Sequence, residues 1–263
     1  MSNPESPKPT RKKTPPDIRT FPLFTNKEAV DKHFDFNSGA VFLIDKPKSW
    51  SSFRPVGLIR KLTGIRKVGH AGTLDPMATG LLIICCGKST KSIDQIQAQT
   101  KRYTATIQLG SKTISYDAET DIDETTSFKH VTERDIIATI KSDFLGDIKQ
   151  EPPMYSAIWH KGERLYHLAR RGETVERKER DVTIHSFDLI SYDSIKGELK
   201  VDIVCSKGTY IRSIANDIGL KLDTFGHLTA LRRTQIGSFS VNDAITMEQL
   251  VKDFDQHGEI DLS

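Results

Sequence analysis

Gly69-His70-Ala71-Gly72-Thr73-Leu74-Asp75-Pro76-Met77-Ala78-Thr79-Gly80, running on into Leu81-Leu82-Ile83-Ile84-Cys85-Cys86, is the stretch on which the fold turns. Its second part is an unbroken apolar run, the pattern of a strand covered on both faces. Its first part sets three glycines, a His, an Asp and a Pro directly before that strand. Glycine permits positive φ and close backbone approach, so this is a shaped loop rather than a slack one. Asp75, before Pro76, is held away from helical geometry. Most single aspartates so placed cap a turn. A phosphate loop is excluded, because neither GxxxxGK[ST] nor GxGxxG spacing occurs.

Working outward, 38–45 reads as a strand closed by Lys46-Pro47, 55–62 as a short helix and 102–109 as an alternating strand. Periodicity near 3.6 predicts a helix over 131–145, with Thr132 as N-cap and Gly146 as stop. A short basic helix is expected over 163–171, closed by Gly172. Strands follow at 181–191 and 198–205, a helix at 209–222, and a strand or bent strand at 227–239. Strands and helices alternate without regular βαβ spacing, which predicts an α+β fold with a mixed sheet rather than a doubly wound one.

Lys and Arg number 38 in the 263 residues against 35 Asp and Glu, a net charge of +3. Residues 1–20 hold Lys8, Arg11, Lys12, Lys13 and Arg19 against Glu5 and Asp17, so the excess sits there and the remainder is neutral. A globally basic polyelectrolyte is excluded, and a polyanion must be met by local patches. Six of the 11 prolines lie in the first 22 residues, which predicts a disordered basic tail in a lead-in of 1–37. Cys85, Cys86 and Cys205 offer no metal-ligand spacing and no disulfide framework. The apolar run is far short of the roughly 20 residues of a membrane span, and the N-terminus carries no signal-peptide pattern. A cytoplasmic protein without metal or cofactor is expected.

Several basic clusters adjoin the loop or carry aromatics. Arg60-Lys61 and Arg66-Lys67 precede it without an intervening acid. Lys101-Arg102-Tyr103 opens a strand, 155–171 mixes Tyr155, Trp159 and Tyr166 with Lys161, Arg164, Arg170 and Arg171, and Lys207-Gly208-Thr209-Tyr210-Ile211-Arg212 sits at a strand-to-helix junction. Singly, each is an ordinary charged rim. Recurring in a neutral body, they have the composition of a surface that tracks an RNA backbone and stacks bases.

Read together, the blocks resemble the TruB family of tRNA pseudouridine synthases, from about Gly39 to about Ser240. In order they are Asp45-Lys-Pro-Lys-Ser-Trp-Ser-Ser52, the Gly69–Gly80 loop, Lys101-Arg-Tyr103, Pro153-Met-Tyr-Ser-Ala157, Cys205-Ser-Lys-Gly-Thr-Tyr-Ile-Arg212 and Leu231-Arg-Arg233. The resemblance implies the pseudouridine synthase fold, a largely antiparallel central sheet with flanking helices. It also implies isomerisation of the T-loop uridine at tRNA position 55, by C1′–N1 cleavage, turning of the base and C1′–C5 rejoining. Asp75 matches the family's essential aspartate and Arg212 the arginine paired with it. Tyr103 matches a tyrosine stacked on the target base and implicated in removing the C5 proton. Tyr210 matches a second substrate-contacting tyrosine, Leu231 an apolar pocket wall, and His70 the histidine that enters the T-loop as the uridine flips out. Lys46 and Arg233 fall in family blocks and are read as substrate-side residues, Lys46 with a bracing role. Asp117, in an acidic tract where relatives often show Thr-Asp-Thr, is given no catalytic role.

The resemblance further implies a catalytic domain over 38–240, with an RNA-clasping insertion at 149–180. A short helical tail is expected over 241–263, near 247–254, in place of the C-terminal RNA-binding (PUA) domain of many relatives. tRNA is the expected partner of a monomer with no obligate protein partner. Two rivals stand beside this reading: a catalytically silent T-arm binder or chaperone on the same fold, and a nucleoside hydrolase acting on the same bond.

Overall fold

The computed structural model describes residues 14–254. In chain order its elements are β1 (Leu23–Phe24), β2 (Ala40–Lys46), α1 (Phe53–Thr63), β3 (Val68–His70), β4 (Thr79–Cys86), α2 (Ile93–Gln97), β5 (Lys101–Leu109), β6 (Ser111–Thr113) and β7 (Ile122–Thr125). There follow α3 (Glu133–Thr139), β8 (Gly146–Gln150), β9 (Trp159–His160), β10 (Glu163–Arg164), α4 (Leu165–Arg170), β11 (Arg180–Asp193), β12 (Glu198–Cys205), α5 (Ile211–Lys221), β13 (Gly226–Ile236), β14 (Phe239–Ser240) and α6 (Met247–Phe254). One ten-stranded sheet runs β1-β2-β4-β13-β5-β12-β11-β8, with β3 on β4 and β14 on β13. Only β1–β2 and β4–β13 pair in parallel. The expected mixed, largely antiparallel sheet with flanking helices is present.

The apolar run of β4 is buried because both faces of the sheet are covered there. Leu82, Ile84 and Cys86 point into one cluster with α1 and α6, and Leu81, Ile83 and Cys85 into another with Ile96 and Ile236. Period-two alternation thus divides one strand between two cores. A third cluster joins β5, β11, β12, α3 and α5. All three cysteines lie inside these clusters and none is bridged. Burial pushes the Cys85 and Cys86 thiols up to about 12, and Cys205 to about 11. Unfolded thiols ionise near their ordinary value of 9.0, while the native ones stay protonated, so these groups make stability fall as pH rises from 9 toward 12. At pH 8 an aromatic disulfide reagent should titrate no thiol in native protein and all three in guanidinium. Rapid native labelling would contradict this packing.

Helix α3 begins at the expected cap: Thr132 Oγ1 accepts from Asp135 N–H, while Asp135 Oδ2 accepts from Thr132 N–H. The predicted 131–145 helix is divided, since its last turn, Ile140–Phe144, is π-helical before Gly146 at φ +84°. The helix expected over 163–171 is also shorter. Lys161 and Gly162 at positive φ close a hairpin that takes Glu163 and Arg164 into β10, and α4 starts only at Leu165.

Part of the stretch read as disordered tail is packed. Residues 1–13 lie outside the described residues, but Ser92 Oγ donates to Pro16 O, Ile18 is buried, and the Phe24 ring stacks on Phe42 at 4.9 Å. Prolines dominated the composition and masked the apolar spacing of Ile18, Phe21 and Phe24. The helix expected near 247–254 is present as α6, and its segment packs on the sheet. Ile245 N donates to Leu43 O and Asp45 N to Ile245 O, and α6 buries Met247 and Leu250 beside α1. Both flanking segments are thus built onto the sheet; residues 255–263 lie outside the described residues. Among the described residues no helix is long and apolar enough to cross a membrane.

Candidate active site

A cleft of 1280 Å³ opens between the loop that joins β3 to β4 and the segment that joins β8 to β11. The loop's entry and exit are set by glycine. Gly80 has φ +101°, and a Cβ there would lie 2.3 Å from the carbonyl oxygen of Arg233, which is where β4 and β13 pair. Side chains then hold the loop from behind. Ser52 Oγ donates to Leu74 O and accepts from Leu74 N–H, and Glu119 Oε1 accepts from Met77 N–H at 2.8 Å. Ser49 N–H donates to Pro76 O, and Ala78 N–H to the carbonyl of Asp75.

Lys46 and Arg233 are the deepest of these supports: Lys46 sits away from the cleft in the bracing role expected of it, while Arg233 braces the loop and also lines the cleft. Lys46 is fully buried, its ammonium donating to the carbonyls of Pro47, Trp50 and Pro76. Burial lowers its pKa to about 8, because the low-dielectric interior disfavours the charged form. Arg233 is 1% exposed and donates to Leu81 O, Thr73 O and Gly72 O. These backbone contacts make both side chains shape the loop.

That bracing leaves Asp75 at the loop's crest, its side chain 32% exposed to the cleft. Arg212, in the first turn of α5, approaches from beneath. Its Nε lies 2.9 Å from Asp75 Oδ2 and its Nη2 donates to Oδ1 at 3.3 Å. The same guanidinium donates to Ser115 O and Tyr155 O, which aims it. Asp117 stands on the other side, 1% exposed, with Oδ2 3.5 Å from Arg212 Nε. Its Oδ1 accepts from Ser115 Oγ at 2.5 Å and from Glu119 N–H at 3.0 Å. Burial pushes the Asp117 carboxyl above its usual range, and Glu119 likewise.

Asp117 was given no catalytic role in the sequence and Glu119 was not singled out; the one local signal was an acid repeated at i and i+2. The left-handed backbone at Tyr116 (φ +64°) turns Asp117 inward, which no local pattern announces.

Tyr103 on β5 and Leu231 on β13 form the apolar wall, each 8% exposed, with Tyr103 cross-strand from Arg233. Burial raises the Tyr103 phenol. Tyr210 is fixed by Gln150, which accepts from its backbone N–H and donates to its carbonyl, with the Arg180 guanidinium 5.3 Å from its ring. Asp75, Tyr103, Tyr210, Arg212, Leu231 and Arg233 all line the cleft. His70 and Lys46 do not. His70 lies beside Phe53, ring centroids 5.1 Å apart and nearly perpendicular, and burial lowers its pKa, favouring the neutral ring.

The family follows from comparison. Residues 60–211 match the model of the TruB family pseudouridylate synthase N-terminal domain, and 212–260 that of the tRNA pseudouridylate synthase B C-terminal domain. The chain belongs to the TruB family. It is 49% identical over 218 residues to tRNA pseudouridine synthase B of Flavobacterium johnsoniae, covering 80% of this chain and 94% of that one. With the protein of the same name from Phocaeicola vulgatus it shares 44% identity, over 84% and 96%. Among solved structures, a chain of a Cbf5–Nop10–Gar1 complex superposes with a TM-score of 0.64 at 27% identity. That match covers 87% of this chain and 60% of that one. In this TruB-family enzyme the partly exposed carboxylate of Asp75 lines the cleft beside Arg212.

Proposed function

We propose that this enzyme converts the T-loop uridine of tRNA to pseudouridine in the cytoplasm, using Asp75 as the catalytic carboxylate. The observation that carries this is the Asp75–Arg212 pair: a carboxylate open to a cleft large enough for a nucleotide, beside a buried guanidinium. Arg212 grips the carboxylate through a close charged contact, and the loop supports fix its direction. A preorganised anion can act on the nucleoside as C1′–N1 opens, in the manner of glycosidase carboxylates. The base turns while held and C1′ joins C5; the proton leaves C5 and N1 ends protonated, so atoms balance without redox chemistry.

Tyr103 provides the face on which the base turns, and Leu231 closes the apolar side. His70 and the neighbouring lip meet the loop vacated by the flipped uridine, an extrusion that costs a few kcal/mol of stacking. Tyr103→Phe keeps the ring and is expected to retain far more activity than Tyr103→Ala in single-turnover assays. Equal losses would transfer the role to the hydroxyl.

The insertion at 149–180, with its own small cluster of Met154, Leu165 and Leu168, is read as the RNA clasp. Hydrogen exchange of its amides should slow when tRNA is added. Unchanged protection would remove that role.

The central test is nucleotide-resolution pseudouridine mapping of an unmodified tRNA transcript, by carbodiimide labelling and primer extension. One new stop at the T-loop uridine is expected. Tight binding without a stop would identify a silent binder, and released uracil a hydrolase.

A further inference from the structure

Of the 12 Phe, 2 Trp and 6 Tyr residues of the chain, only Phe53 and Trp159 are exposed, at 70% and 63%. Both line the same cleft, on separate elements: Phe53 opens α1, and Trp159 stands on the β9–β10 hairpin of the clasp. Neither ring belongs to any of the buried clusters. Aromatic rings are ordinarily taken out of water, since each buries a large apolar area. Leaving two of them wet, both at one cleft, is a placement that packing does not explain.

Each ring is nonetheless held rather than loose. The Phe53 ring meets His70 edge-on. The Trp159 indole carries the Arg164 guanidinium 4.9 Å from its centroid, and Arg164 Nη1 is itself anchored on Ala157 O. β9 and β10 pair Trp159 with Arg164 across the hairpin. A cation over an aromatic face beside open solvent is the arrangement used to sandwich an unpaired base.

We propose that Phe53 and Trp159 are two stacking platforms for unpaired nucleobases of the RNA loop on either side of the flipped uridine. Their partner is single-stranded nucleobase, and their contribution is affinity for an opened loop rather than chemistry at C1′. The inference rests on the tRNA reading above and adds two contact residues to it. Stacking tolerates any base, so the pair favours loops over duplex without reading sequence.

The test is equilibrium binding of unmodified tRNA to wild type, Phe53→Ala, Trp159→Ala, Phe53→Leu and Trp159→Tyr, with thermal unfolding as the folding control. Each Ala variant should bind about tenfold or more weakly, the range for loss of one base–aromatic stack. Trp159→Tyr should recover most of the affinity, and Phe53→Leu, apolar but without a π face, should not. A transcript made abasic at the nucleotides flanking the target uridine should bind wild type more weakly, yet cost the double Ala variant little more. Folded Ala variants with wild-type affinity, or equal abasic losses in wild type and the double variant, would overturn the proposal. Affinity is read without turnover, so these outcomes decide it even if mapping finds no pseudouridine; absent modification counts against the catalytic reading alone.

Discussion

Asp75→Asn is expected to leave tRNA bound and unmodified. The amide keeps the shape of the carboxylate and can still meet Arg212, so the loop, held by Ser52, Glu119, Lys46 and Arg233, keeps its course. What disappears is the anion. Loss of a group on which the chemical step depends costs about 10³-fold or more in rate, whereas binding distributed over a wide RNA surface hardly changes. Single-turnover conversion of a tRNA transcript should thus fall by at least that factor, with the dissociation constant within about threefold of wild type. Residual activity within about tenfold of wild type would remove Asp75 from the centre of the mechanism.

Arg212→Ala should be the most damaging single change to both stability and activity. Arg212 is buried, lies 2.9 Å from one carboxylate and 3.5 Å from another, and donates to two backbone carbonyls. Removing it strands the buried carboxyl of Asp117 with its one close cation gone. Breaking a buried pair in this way costs about 3–5 kcal/mol, and a chain of this size loses about 2–4 °C in Tm per kcal/mol. A drop of roughly 10 °C in thermal unfolding is expected, with activity lost even well below the new midpoint. Part of the penalty is relieved in acid: Asp117 titrates above its usual range, and protonation removes the stranded charge. The stability difference between variant and wild type should therefore narrow as pH falls below neutrality. A wild-type Tm would mean that Asp117 does not depend on Arg212.

The two variants separate what the guanidinium does. Asp75→Asn tests charge at the crest of the loop, on a residue open to water. Arg212→Ala tests the same pair from its buried side, where electrostatics and packing are joined.

Much of this could be read from the chain before folding. The apolar run at Leu81–Cys86 predicted a strand buried on both faces, and β4 is one, serving two cores by alternation. Glycine placement around Asp75 predicted a shaped loop, and the close approach of Gly80 to Arg233 supplies the reason. Thr132 predicted the start of α3. Those features are local: spacing, caps and backbone freedom act within a few residues, so sequence carries them.

What the sequence left open needed partners distant in the chain. Lys46 was read as a brace, but the carbonyls of Trp50 and Pro76 that hold it, and those of Gly72, Thr73 and Leu81 that hold Arg233, come together only in the fold. Asp117 had no assigned role until α5 brought Arg212 to it, 95 positions away by number. The packed lead-in at Ile18 and Phe24 was hidden by proline content because its contacts, Ser92 and Phe42, lie elsewhere. Residue types and their spacing thus carried the strand that organises the sheet and the shaped loop before it, while the family and the choice of Asp75 came from the resemblance of whole sequence blocks. Whether a given charge faces water or a carbonyl depends on long-range packing, since burial and hydrogen-bond partners are properties of surfaces brought together from remote parts of the chain.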